Sequence, residues 1–222
     1  MLFAYANPKG GVGKSTLSVH SVVWLAEKGK RVALVDADVQ SSSTHWLKDA
    51  APDIPLFRLL TPDDVLEQLP KIQADHEHVI VDGPAGLSEV TRAILLLADT
   101  AFLPCGPSVL DLWAASGAIN VLRQVQRIRK GPPTAVLVPN KLKTRQRLSK
   151  EFLETANSMD IPASPGIRDL QAYADSVGQG TVVWRMGPRT IDAALEIQQL
   201  FLELFKNVVS TETDDDRRVE NG

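Results

Sequence analysis

A glycine-rich stretch near the start of the chain, Pro8-Lys9-Gly10-Gly11-Val12-Gly13-Lys14-Ser15-Thr16, separates an apolar run at residues 1–6 from a helical pattern. An apolar strand, a glycine loop and a helix in immediate succession restrict the fold more than any other feature of the chain. Gly10, Gly11 and Gly13 can take backbone angles closed to other residues, which lets successive N–H groups turn inward on an anion. The helix that follows adds its own unpaired N–H groups and the positive end of its dipole. A loop of this kind cradles phosphates along residues 10–16. The Lys14 ammonium then reaches the β- and γ-phosphates, and the Ser15 hydroxyl ligates Mg²⁺.

The rest of the chain repeats the same alternation. A helix is expected over 14–27, closed by Gly29 in a left-handed position, and a short buried strand over 31–36. A short helix at 41–49, a minor strand at 55–60 and a helix begun by Thr61-Pro62-Asp63-Asp64 follow; threonine caps and proline takes the first helical position. Further apolar strands are expected at 79–82, 100–104 and 135–139, with a long amphipathic helix over 110–130. Strands of four to six apolar residues alternating with longer helices predict an α/β fold: a mostly parallel twisted sheet with helices on both faces. Ligands of such sheets sit at the carboxyl ends of the strands. Lys9 to Ser15, Asp36, Asp38, Asp82 and Asn140 all fall there.

The strict phosphate-loop pattern G-x-x-x-x-G-K-[ST] has Pro8 in place of its first glycine, and a second lysine, Lys9, precedes the glycine pair. Lys-Gly-Gly-x-Gly-Lys-[ST] resembles the deviant Walker A box of the ParA/MinD family of ATPases. The resemblance extends over residues 1–208 and implies one P-loop ATPase domain; residues 209–222 are expected, from their acidic composition, to form a disordered tail. It also implies ATP and Mg²⁺ as cofactors, hydrolysis to ADP and phosphate, and a sandwich homodimer in the ATP state, with Lys9 reaching the partner's nucleotide. Asp82, ending Val79-Ile80-Val81-Asp82, matches the Walker B acid, which holds the metal through water. Asp36-Ala37-Asp38-Val39-Gln40 resembles the family's Asp-x-Asp-x-Gln box, with Val39 where proline is usual. By that match Asp36 supports the metal and Asp38 orients or deprotonates the attacking water, so Lys9, Lys14 and Asp38 form the catalytic set. Pro107-Ser108-Val109-Leu110-Asp111 is similar to the segment coupling nucleotide state to the dimer interface, although Asp111 reads equally as a helix cap. Asn140 matches a position that approaches the adenine and reads equally as a turn residue.

Charge directs attention to what such an ATPase acts on. Of 222 residues the segment 211–222 carries five acids and two bases, which accounts for the whole net charge of −3. Residues 112–150 hold no acid and nine bases: Arg123, Arg127, Arg129, Lys130, Lys141, Lys143, Arg145, Arg147 and Lys150. With Arg185 and Arg189 these are candidates for nonspecific, salt-sensitive DNA binding on the nucleoid, an ordinary solvated surface being the plainer reading. Family relatives segregate or position a cargo (a plasmid, a chromosome origin or a protein body such as a carboxysome) through a cargo-bound adaptor that stimulates hydrolysis. No membrane partner is expected, because the apolar pattern at 191–209 carries Asp192, Glu196 and Glu203 against the single base Lys206. The lone Cys105 excludes an internal disulfide and fits a cytoplasmic protein. A MinD-like membrane-associated ATPase, an ATP-dependent small-molecule ligase of the same fold and a filament former with structural ATP stand as alternatives.

Overall fold

The computed structural model describes residues 1–143 and 150–209. Strands β1 (Leu2–Tyr5), β2 (Val32–Asp36), β3 (Leu56–Arg58), β4 (His78–Asp82), β5 (Thr100–Cys105) and β6 (Thr134–Pro139) form one sheet, ordered β3-β2-β4-β1-β5-β6. Every neighbouring pair is parallel. Strand sides alternate, as period two requires. Phe3 and Tyr5 of β1 join one apolar cluster, while Leu2 and Ala4 join another on the opposite face.

Helices α1 (Lys14–Glu27), α2 (Ser42–Ala50) and α8 (Ile191–Leu204) cover the first face, with Trp24, Leu47 and Phe201 in its core. Helices α3 (Pro62–Asp75), α4 (Glu89–Leu97), α5 (Val109–Arg129) and α6 (Lys150–Ser158) cover the second. Helix α7 (Gln171–Gly178) packs at the end of the first face, where Tyr173 meets His20 with ring centroids 5.9 Å apart. Helix starts follow the local chemistry. Asp64 N donates to the Thr61 hydroxyl at 3.1 Å and Asp111 N to the Ser108 hydroxyl at 3.1 Å, so Ser108 caps α5, not Asp111.

Several boundaries differ from expectation. The minor strand shrinks to Leu56–Arg58, because it is an edge strand paired with β2 alone. The long C-terminal helix breaks after Leu204, and α9 (Lys206–Val209) follows. At the break Phe205 turns into the core, edge-on to Phe3 at 5.0 Å and to Phe102 at 5.5 Å. Those edge-on aromatic contacts stabilise the bend. Helices α4, α6 and α7 have no counterpart in the expected pattern. Over α4, Ile94-Leu95-Leu96-Leu97 is continuously apolar, and such a run does not distinguish a helix from a buried strand.

Strand order positions the functional edge. The chain leaves β1 toward β2 on one side and leaves β4, the neighbour of β1, toward β5 on the other. This is a topological switch point, where the loops after adjacent strands part and open a crevice. The glycine loop follows β1, and Asp82 ends β4. Register then sets Asp36 opposite Asp82, and Asp82 opposite Tyr5.

Candidate functional site

The glycine loop closes through its own backbone and a few buried side chains. Gly11 has φ 72° and Gly13 φ 98°, left-handed values that a side chain would strain. Asn7, 2% exposed, donates from Nδ2 to the Pro104 carbonyl at 2.7 Å and accepts from Lys9 N at 2.8 Å, tying the start of the loop to β5. The buried Lys14 ammonium lies within the loop, donating to the carbonyls of Asn7 at 3.1 Å and Lys9 at 3.3 Å. Burial lowers its pKa below the ordinary value, against the opposing pull of the Asp82 and Asp38 carboxylates. A desolvated cation ringed by carbonyl groups is poised for an anion. Beneath the loop His20 is fully buried; its Nδ1 donates to the Thr16 carbonyl at 2.8 Å, its Nε2 accepts from Val183 N at 3.3 Å, and burial holds its pKa at about 4. The ring is therefore neutral, and Trp46 at 5.1 Å and Trp184 at 5.4 Å pack edge-on against it.

The acids stand beside this loop in two distinct states. Asp82 is buried; one oxygen meets the Ser18 hydroxyl at a long 3.4 Å, and Oδ2 has no hydrogen-bond partner among the described residues. Burial pushes its pKa up to about 7, with the Asp36 carboxylate adding to the rise while the Ser15 and Ser43 hydroxyls oppose it. A bare carboxylate oxygen next to Ser15 and Lys14 fits a hydrated divalent cation, which would supply the missing partner. Asp36 is already occupied: Oδ1 accepts from Asp38 N at 3.0 Å, and Oδ2 accepts from Thr44 N at 2.9 Å and from the Thr44 hydroxyl at 2.6 Å. Those bonds make Asp36 the anchor that fixes the turn carrying Asp38 and the start of α2. Asp38 is partly exposed, accepting from Gln40 N at 2.9 Å and from Ala85 N at 3.3 Å.

The loop residues Gly10, Gly11, Gly13, Lys14, Ser15 and Thr16 line one cleft of about 450 Å³ together with Asp38, Gln40, Ser42, Trp46, Ala85, Lys141 and Val177. Gln40 closes the Asp-x-Asp-x-Gln box, whereas Ser42 and Trp46 of α2, Ala85 after β4 and Val177 of α7 lie outside the expected set; they reach the cleft from separate elements, and local sequence carries no signal for that. Val12 is buried beneath the loop. Asn140 sits behind the loop: its Nδ2 donates to the Val12 carbonyl at 2.7 Å and stands 2.1 Å from where a Cβ on Gly13 would lie, while its Oδ1 accepts from Lys141 N at 2.7 Å. Its amide thus braces the phosphate loop. Lys9 is half exposed, and its ammonium meets Asp111 Oδ1 at 2.7 Å. That ammonium, with the Ser108 hydroxyl, holds Asp111 below the ordinary carboxylate range.

The described basic residues are spread over several elements. Arg123 donates to the Met159 carbonyl at 2.6 Å just past α6, Arg129 to the Ala98 carbonyl capping α4, and Arg185 to the Ala50 carbonyl ending α2 at 2.6 Å. Arg185 also pairs with Glu27 at 2.5 Å. Three candidate DNA contacts thus also serve the unpaired carbonyls and negative dipole ends of helices. Lys150 pairs with Glu154 at 3.4 Å. Arg127 and Lys130 lie at the far end of α5, the end opposite Asp111 and the cleft, whereas Lys141 lines the cleft and Lys143 follows two residues later. Arg189 is exposed in the short helical turn at residues 188–190. Arg145, Arg147 and the acidic tail lie outside the described residues.

Comparison with known proteins agrees with this arrangement. Residues 3–183 match the family model described as the CobQ/CobB/MinD/ParA nucleotide binding domain. The maintenance of carboxysome distribution protein A of Halothiobacillus neapolitanus is 33% identical over 210 residues, covering 91% of this chain and 95% of that one. Two solved structures share the fold at low identity. The ATP complex of Cyanothece McdA superposes with a TM-score of 0.73 at 15% identity, covering 93% and 95% of the two chains. The Mg-ADP complex of the septum site-determining protein MinD from Pyrococcus horikoshii gives 0.75 at 18%, covering 94% and 97%. With the phosphate loop, the paired acids and the family model all falling on the same edge of the same sheet, the chain belongs to the CobQ/CobB/MinD/ParA nucleotide-binding family.

Proposed function

We propose that this chain is a ParA-type positioning ATPase. Convergence at the switch point carries the reading: the glycine loop with its buried Lys14 and the partly exposed Asp38 line one cleft, and the bare oxygen of the buried Asp82 stands beside Ser15 and Lys14. ATP would be held along the loop, and Ser15 and, through water, Asp82 would hold Mg²⁺. Bound there, the metal would supply neutralisation of charge on the phosphates. Lys14 binds the same phosphates. Asp38 is the acid with solvent access, so it orients or deprotonates the attacking water, while Asp36 keeps it in place.

Near full-length similarity to a carboxysome distribution protein supports a positioning role. In this reading the ATP state is a homodimer in which Lys9 leaves Asp111 for the partner's nucleotide. A cargo-bound adaptor stimulates hydrolysis, and nonspecific DNA is the surface on which the protein moves. A protein body of the carboxysome kind is the favoured cargo. Among the described residues no helix is long and apolar enough to cross a membrane. Phosphate release and light scattering with Mg-ATP test the reading. Lys14→Ala loses nucleotide binding, whereas Asp38→Ala binds ATP and dimerises without turnover. Full turnover by Asp38→Ala would reassign the catalytic role.

A further inference from the structure

Gly117 occupies the middle of α5, where glycine disfavours a helix by roughly 1 kcal/mol relative to alanine. Its space is taken: a Cβ there would lie 2.5 Å from Leu87 Cδ1. Leu87 belongs to the connection between β4 and α4, residues 83–88, and remains 39% exposed although it fills this notch. The same connection touches the site at successive residues. Gly83 N donates to the Tyr5 carbonyl at 3.0 Å, Ala85 N to Asp38 Oδ2 at 3.3 Å, and Gly86 N to the Pro8 carbonyl at 2.8 Å. Three backbone N–H groups thus hold the connection to β1, to Asp38 and to the glycine loop, and a leucine side chain seats its far end on α5.

We propose that Leu87, seated in the notch at Gly117, is a positioning residue for Asp38. It fixes the end of a short connection whose Ala85 N–H orients the Asp38 carboxylate, so the small residue in α5 exists to admit Leu87. This rests on Asp38 being the hydrolytic acid. Helix α5 also carries Asp111, the partner of Lys9, so one helix bears on Lys9 directly and on Asp38 through Leu87.

Gly117→Ala separates positioning from stability. The added methyl faces the flexible end of one side chain, so Leu87 retreats by about 1 Å to reach ordinary contact distance, while the helix gains a better former. Misplacement of that size near a reacting group costs up to ~100-fold in rate. Steady-state phosphate release with saturating Mg-ATP is measured for the full-length parent, Gly117→Ala, Leu87→Ala, Leu87→Met and Asp38→Ala, with melting temperature recorded for each. The expected result is a fall in kcat of about tenfold or more for Gly117→Ala and Leu87→Ala, with KM for ATP within about twofold of the parent. Leu87→Met keeps most of the turnover, because methionine refills the notch, and Gly117→Ala melts no lower than the parent. Hydrogen exchange at Ala85 and Gly86 quickens in the two slow variants. Parent-like kcat in both of them, alongside an inactive Asp38→Ala, overturns the positioning role and leaves the ATPase reading intact. An active Asp38→Ala removes the reading on which it rests. Should Gly117→Ala fail to fold, the contrast between Leu87→Ala and Leu87→Met decides: equal turnover in the two overturns the proposal.

Discussion

Replacing Asp82 by asparagine tests the electrostatics of the site most directly. Without nucleotide this carboxyl is buried, with one oxygen unpartnered and a pKa of about 7 against an ordinary 3.8. Between those two values the folded protein holds a proton that the unfolded chain has released. Stability therefore falls as pH rises through that window, and the full penalty is present above about pH 7. At about 1.36 kcal/mol per pH unit the ceiling on the penalty is on the order of 4 kcal/mol. An asparagine side chain has the same shape and no charge to desolvate. The Asp82→Asn variant is thus expected to exceed the parent in stability by a few kcal/mol at about pH 8 and by less than half as much near pH 5, the two converging only below about pH 4, where the parent carries the proton in both states. Urea unfolding without nucleotide at about pH 5, 6.5 and 8 measures both. With Mg-ATP the order reverses: the parent gains stability from the metal and the variant loses most of that gain. A stability difference that does not change with pH would refute the argument, since the serine hydroxyls would then already offset the buried charge.

Other perturbations follow from individual contacts. Asp111→Ala frees Lys9 from an ion pair that is open to solvent on its lysine side, worth about 0.5 kcal/mol after screening; sedimentation with Mg-ATP is expected to show a severalfold tighter dimer, and a weaker one would mean that Asp111 acts within the dimer. Asn140→Ala leaves the Val12 carbonyl without its partner and opens space behind Gly13, at a cost of about 1–3 kcal/mol, so calorimetry is expected to show ATP affinity falling by about tenfold or more. If DNA is bound, removing Arg127 and Lys130 together lowers the slope of log affinity against log salt by nearly two. Arg185→Ala instead lowers the melting temperature and leaves that slope unchanged.

The phosphate loop is legible in the sequence because its chemistry is local: glycines, lysine and serine must follow one another directly. The acids at 36, 38 and 82 are legible as a group because each ends an apolar run, and parallel strands bring such ends to one edge. What each acid does is not legible. Asp36 and Asp38 are two residues apart, yet Thr44 saturates one and leaves the other facing the cleft. Charge counted along the chain is least informative. The acid-free span suggests a single basic face, but α5 carries Arg127 and Lys130 away from the edge where Lys141 stands, and helix carbonyls take up Arg123, Arg129 and Arg185. Neither the distance along a helix axis nor the far end of another helix is written in local composition.

The brace at Asn140 ties competence to completion of the chain. The glycine loop occupies residues 8–16 and emerges early in synthesis, but the amide that supports it arrives 128 residues after Val12. Between them β2, β4, β5 and β6 must pair in parallel, and such long-range pairing is slow. A partly synthesised chain therefore presents the loop sequence without its backing. In the proposed function, nucleotide capture is then expected only once the sheet has closed out to β6, and a chain still short of β6 is expected not to enter the ATP-state dimer.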